Sequence, residues 1–179
     1  DLAQLDGDYR RELITELEWC FDRWDHWRLK FYSETAAPLW FPFFRIQKTG
    51  RELGSYAMVG DDGRPSVISL KRALLLGDRD VTLVRGTDFK LVLKAGHPDR
   101  RKVADLVILH ELIHQALTES ASEADRSLYI STECEGGGRR RYGGHGKLFA
   151  TECNRISAVL HPELGFELAP VRHMKRDHA

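Results

Sequence analysis

His110-Glu111-Leu112-Ile113-His114 decides how the rest of the chain is read. On an α-helix, residues i and i+4 stand one turn apart on the same face. The two imidazoles can therefore grip one metal ion. Glu111 is rotated off the line joining them, within reach of a water on that ion. Two His ligands, a carboxylate base and a third ligand from elsewhere in the chain make a zinc hydrolase. The flanks favour this over two solvated histidines. Val103 to Leu109 leads in and Gln115-Ala116-Leu117 leads out. The segment is apolar on nearly all sides, which predicts a buried helix. Imidazoles and a carboxylate inside such a helix are costly unless paired or metal-bound.

Upstream, Leu13, Leu17, Cys20, Trp24, Trp27 and Phe31 recur at steps of four and three, which predicts an amphipathic helix over 9–32. Two of its three tryptophans lie on the periodic face, so they read as core, and His26 reads as solvated. Leu39 to Ile46 reads as a strand with an edge or bulge at Pro42. Leu53 to Val59 and Ser66 to Leu70 read as two more strands, and the three together as a small antiparallel sheet. A short helix from Lys71 to Leu76 stops at Gly77. Asp80 to Val84 and Phe89 to Lys94 read as a hairpin. Pro98-Asp99 opens the helix that carries the motif, expected to run to about Thr118.

Downstream, residues 119–144 are irregular, with a possible short strand at Leu128-Tyr129-Ile130, a glycine run at 136–138 and Arg139-Arg140-Arg141. That loop joins two ligand-bearing helices and is expected beside the cleft. The second helix spans about 146–160, with Phe149, Cys153, Ile156 and Leu160 on one face. A possible strand at Gly165 to Leu168 and a basic tail end the chain. No repeat and no linker is visible, so 1–179 reads as one α+β domain with its core at about 10–160.

The chain has 179 residues, enough for one domain with a real core, and 27 basic against 27 acidic residues. A net charge of zero gives no global attraction to nucleic acid or membrane. No apolar run has the length of a membrane span, and no secretory signal is visible. Cys20, Cys134 and Cys153 form no C-x-x-C pair, and such a sparse, odd count suits a reducing compartment. A cytoplasmic or nucleoid-associated protein is the expectation, although a chain starting at Asp1 leaves room for an upstream targeting segment.

Two helix histidines need a third protein ligand to make a catalytic site with one position open for water. The metzincin pattern is excluded, because its glycine and third histidine fall on Leu117 and Ser120. A carboxylate ligand is open to Glu119, Glu123, Glu133, Glu135 or Glu152, and a thiolate to Cys134. His145 is the strongest candidate, because it sits between Gly144 and Gly146 at the start of a helix, where the backbone can come close to another element. His97, His161, His173 and His178 stand in weaker settings.

His110-Glu111-Leu112-Ile113-His114-Gln115-Ala116, followed by Gly144-His145-Gly146-Lys147-Leu148-Phe149 and Asn154-Arg155-Ile156, resembles the SprT-like metalloproteases, the family that includes Spartan. Leu53-Gly54-Ser55-Tyr56 stands where that family has a glycine-bearing strand, and Ile68-Ser69-Leu70 is similar to the segment before its motif helix. The likeness runs over roughly residues 10–160. It implies a zincin-like fold with the H-E-x-x-H helix packed near a second ligand-bearing helix. It makes His110, His114 and His145 the Zn²⁺ ligands and Glu111 the catalytic acid/base. It also implies an endopeptidase with a protein substrate, and in some members one that cuts proteins crosslinked to DNA. The Cys-rich zinc ribbon that follows many family domains has no counterpart here.

The expected chemistry is hydrolysis by a metal-activated water, with Glu111 moving the proton. An oxyanion donor is expected from Tyr129, Tyr142, Arg141, Arg172 or His173, with Tyr142 preferred because it adjoins His145. Asp105, Asp125 and Glu152 are candidate acceptors for the ligand histidines. Arg139, Arg140 and Arg141 are the candidate DNA patch, and no membrane partner is expected. Two other functions fit the same motifs: a zinc-stabilised DNA- or protein-binding module without catalysis, and a toxin-like or phage protease dedicated to one substrate.

Overall fold

The computed structural model describes residues 2–33, 39–47, 53–57, 66–85, 89–119, 122–130 and 145–164. The first helix, α1 (Leu2–Tyr32), starts seven residues before the expected start at residue 9. The middle of its stripe is buried as the spacing predicts, while Leu13, Leu17 and Phe31 are half-buried. Cys20 and Trp24 are inaccessible and Trp27 nearly so, while His26 is exposed with its ring edge against Trp27.

Strands β1 (Phe43–Gln47), β2 (Gly54–Ala57) and β3 (Val67–Lys71) form one sheet in the order β1-β3-β2. The expected antiparallel sheet is instead mixed. β2 runs antiparallel to β3, but β1 is parallel to it. The cause is that β3 takes the centre, so the chain passes from one edge of the sheet to the other before returning. β3 is buried through Ile68, Ser69 and Leu70. Pro42 lies just before β1 rather than within it, which spares the ladder its missing N–H.

After β3 comes α2 (Arg72–Leu76), closed by Gly77 in the left-handed conformation at φ 66°. A Cβ there would strike the Arg100 guanidinium, so both backbone and space select glycine. β4 (Val81–Arg85) and β5 (Phe89–Leu93) form the expected hairpin as a separate two-stranded sheet. Then follow α3 (Arg100–Glu119), α4 (Glu123–Tyr129) and α5 (Lys147–Leu164). The short strand expected at Leu128-Tyr129-Ile130 is the end of α4.

α3 is the axis of the molecule. Val103, Ala104, Ile108, Leu109, Leu112, Ile113 and Ala116 are all buried. α1 clamps it through polar contacts as well as packing. Arg23 holds both oxygens of Asp105 at 2.9 Å, and the Trp27 indole N–H donates to the same carboxylate at 2.7 Å. Trp24 donates to the side chain of Gln115 at 2.9 Å. These contacts fix α3 on both sides of the motif. The Asp105 carboxylate, the Trp24 and Trp27 indole N–H groups and the Gln115 side chain are all partnered in these contacts, so none of them bears the cost of a stranded polar group. Cys20 and Cys153 are free and buried, with burial pushing both thiols up to about 12. Among the described residues no helix is long and apolar enough to cross a membrane.

Candidate metal centre

His110 and His114 project from one face of α3, as an i, i+4 pair must. His145 comes to meet them from the residue pair just before α5. The three Nε2 atoms form a triangle: 2.9 Å from His110 to His145, 3.1 Å from His114 to His145, and 3.3 Å from His110 to His114. Hydrogen bonds alone cannot satisfy this triangle. Each nitrogen is either donor or acceptor, so at least one of the three contacts pairs like with like. A cation facing all three lone pairs removes the conflict. The spacing is close to the roughly 3.3 Å that tetrahedral coordination at about 2.0 Å imposes. Among the described residues this is the group whose ligand atoms could hold a metal ion.

The electrostatics point the same way. Burial, together with the neighbouring His145, pushes His110 down to about 3. Burial and then the two other histidines hold His114 well below its ordinary value. Both imidazoles are therefore neutral at pH 7 and offer lone pairs rather than protons, as metal ligands must.

Phe149 floors the site. It is inaccessible to solvent, its ring stacks on His114 at 4.3 Å, and it meets His110 and His145 edge-on at 4.8 and 4.9 Å. The entry into α5 therefore links His145 to the apolar surface beneath all three rings. The spacing of His145 and Phe149 carried this signal, but sequence reading placed Phe149 only in the core.

Tyr129 does not serve as the oxyanion donor considered for it. It is 1% exposed, and its hydroxyl lies 2.8 Å from Nδ1 of His114. A metal on Nε2 puts the imidazole proton on Nδ1, which then donates to the Tyr129 oxygen and fixes ring and tautomer. Asp105 and Glu152, the expected acceptors, are engaged elsewhere. Asp105 holds Arg23 and Trp27, while Glu152 accepts from Tyr32 at 2.6 Å and pairs with Arg155. We expect Tyr129→Phe to keep the fold and lower metal affinity about 10–100-fold, read by competition against a chromophoric chelator. Unchanged affinity would show that the hydroxyl does not orient the ligand.

Glu119 is likewise no ligand. Its carboxylate accepts from Tyr56 at 2.8 Å, from Ser66, from Gln115 at 3.0 Å and from the Trp40 backbone N–H at 3.1 Å. Nδ1 of His97 accepts from the Asp99 N–H at 3.2 Å. Glu133, Cys134, Glu135, Arg139, Arg140, Arg141, Tyr142, Arg172, His173 and His178 lie outside the described residues, as do the side chains of Asp125 and His161.

Glu111 is 5% exposed and stands against β2. A Cβ built on Gly54 would come 3.0 Å from Glu111 Oε1 and 2.5 Å from Val107 Cγ1. Only glycine lets the strand approach the carboxylate this closely. Compared with protein-family models, with curated proteins and with solved structures, the chain matches none.

Proposed function

We propose that this chain is a zinc-dependent endopeptidase of the SprT-like type, built on a zincin-like fold. The observation that carries the reading is the triangle of imidazoles formed by His110 and His114 on α3 and His145 just before α5, with the buried carboxylate of Glu111 one residue along from His110. An all-imidazole set suits zinc among the divalent ions. A purely structural site has no use for the carboxylate.

His110, His114 and His145 would hold the ion. When bound, zinc supplies Lewis acidity, which acidifies water towards pH 7 and polarises a carbonyl. Glu111 accepts the proton of the attacking water and delivers it to the leaving amine. β2 supplies a rail for the substrate. Leu53 O accepts from the Lys71 N–H at 2.8 Å, so strand alternation turns the backbone groups of Gly54 and Tyr56 to the outer edge. An extended peptide pairing there is held beside Glu111, and a peptide must be extended to present its bonds singly. A DNA contact through Arg139, Arg140 and Arg141 belongs to the same reading as a second element of substrate choice.

Gly54→Val tests the rail. The added side chain must displace Val107 and Glu111, and a shift of about 1 Å at a catalytic group can cost up to about 100-fold. We expect cleavage to fall at least about tenfold with the metal retained. Full activity would remove β2 from the site.

The reading as a whole is tested by metal analysis of the purified chain and by casein cleavage with and without single-stranded DNA. One zinc per chain with cleavage supports it. One metal ion without cleavage under any condition points to a binding module, and no metal at all overturns the site.

A further inference from the structure

The chain exposes a cluster of aromatic side chains that the metal site does not use. Trp40, Phe41 and Phe43 are 70%, 62% and 63% exposed, within four residues of one another, and Phe21 on α1 is also exposed. Phe41 and Phe21 rings stand 5.7 Å apart. Large apolar side chains grouped this way on a surface mark an interaction site more often than chance. Between α1 and β1 runs an open groove of about 350 Å³, walled by Leu17 and Phe21 on one side and by Pro42, Phe43 and Phe44 on the other.

Two further observations define what fits it. Among the described residues β1 is an edge of its sheet. The Phe43 N–H donates to Ser66 O at 2.8 Å, so the residues out of phase with it, Phe44 and Ile46, turn their N–H and C=O groups to the unpaired side. Glu18 and Asp22 line the same groove, both are exposed, and neither has an ionic partner among the described residues. The cation of β1, Arg45, reaches across to Ser69 at 3.0 Å on the neighbouring strand and leaves the acidic character of the groove intact.

The geometry points to a docking site for an extended, basic segment of a partner protein, added as a fourth strand on the outer edge of β1. Its backbone pairs with Phe44 and Ile46, its apolar side chains cover the exposed aromatics, and its Lys or Arg side chains meet Glu18 and Asp22. This site is independent of the metal centre and would bind whether or not the chain cuts peptides.

The test is fluorescence anisotropy with a fluorescein-labelled octapeptide alternating lysine with valine and phenylalanine, against its glutamate-for-lysine counterpart. The Glu111→Gln chain is used so that hydrolysis cannot consume the probe. We expect the lysine peptide to bind at least tenfold more tightly than the glutamate peptide. Glu18→Lys with Asp22→Lys should weaken it at least tenfold without moving the melting temperature, and N-methylation of alternate peptide nitrogens should abolish binding. Phe43→Ser provides a second variant that leaves the charges in place, and it should weaken binding likewise. Equal binding of the two peptides, or affinity that survives both charge reversal and Phe43→Ser, overturns the proposal. So does a dimer that Phe43→Ser dissolves, or adsorption to phosphatidylcholine vesicles through Trp40 and Phe41, since each names a different occupant.

Discussion

Replacing Glu111 by Gln is expected to abolish peptide cleavage while leaving the metal in place. The two side chains are nearly the same size, so the close packing against Gly54 and Val107 is kept. What is lost is the proton acceptor. General-base catalysis is worth about 10²–10⁴-fold, and in the proposed reaction the same carboxylate also returns the proton to the amine. The loss should fall at the upper end of that range, in kcat rather than KM, because Glu111 acts on the reacting atoms and not on the bulk of the substrate. Measured turnover of casein beside metal content decides it. Activity retained within tenfold would mean that another group is the base.

His145→Ala is expected to have the other large effect, on metal content and stability together. Removing one of three ligands leaves two imidazoles on a single helix, which bind weakly. Metal content should fall from one per chain towards zero. A ligand held at about 1,000 times its Kd stabilises the folded state by about 4 kcal/mol, so the variant should melt where the chelator-treated parent melts. Acidification should act in the same direction. The folded-state value of His110 is about 3 against an ordinary 6.5. Between those limits the unfolded chain binds more protons than the folded one, so stability rises with pH through this window and falls as pH drops below about 6.5. Calorimetry of parent and variant from pH 4 to 8, with and without chelator, separates the two effects. A variant that still binds one metal with the parent's melting temperature would remove His145 from the site.

Much of the centre was legible because its signals are local. The i, i+4 spacing of His110 and His114 needs only helix geometry, and the apolar flanks of α3 announce its burial. His145 could be singled out because glycines on both sides mark a close backbone approach. The less legible features depend on tertiary choices. Leu128-Tyr129-Ile130 is β-prone and predicts a strand, yet the run ends a short helix whose placement under His114 is a long-range fact. The parallel pairing of β1 with β3 departs from the expected antiparallel sheet, although Val67-Ile68-Ser69-Leu70 lacks the alternation of a half-solvated strand and so hints at a central position. Gly54 stood out as a glycine in a strand. Its reason, the carboxylate 3.0 Å from where a Cβ would sit, belongs to a helix about a third of the chain away.

His145 stands two residues before α5 and Phe149 in its first turn, and the Phe149 ring touches all three imidazoles. The seating of this helix and the capture of an ion would thus be one mechanical act. A bound ion would work as a latch: without it, the pull that draws residue 145 towards α3 would be gone, and only the packing of α5 itself, with Phe149 at its head, would hold the helix in place. Chelation should therefore loosen α5 first and leave the α1–α3 clamp closed, so that amide exchange quickens at residues 147–153 before it does along α3.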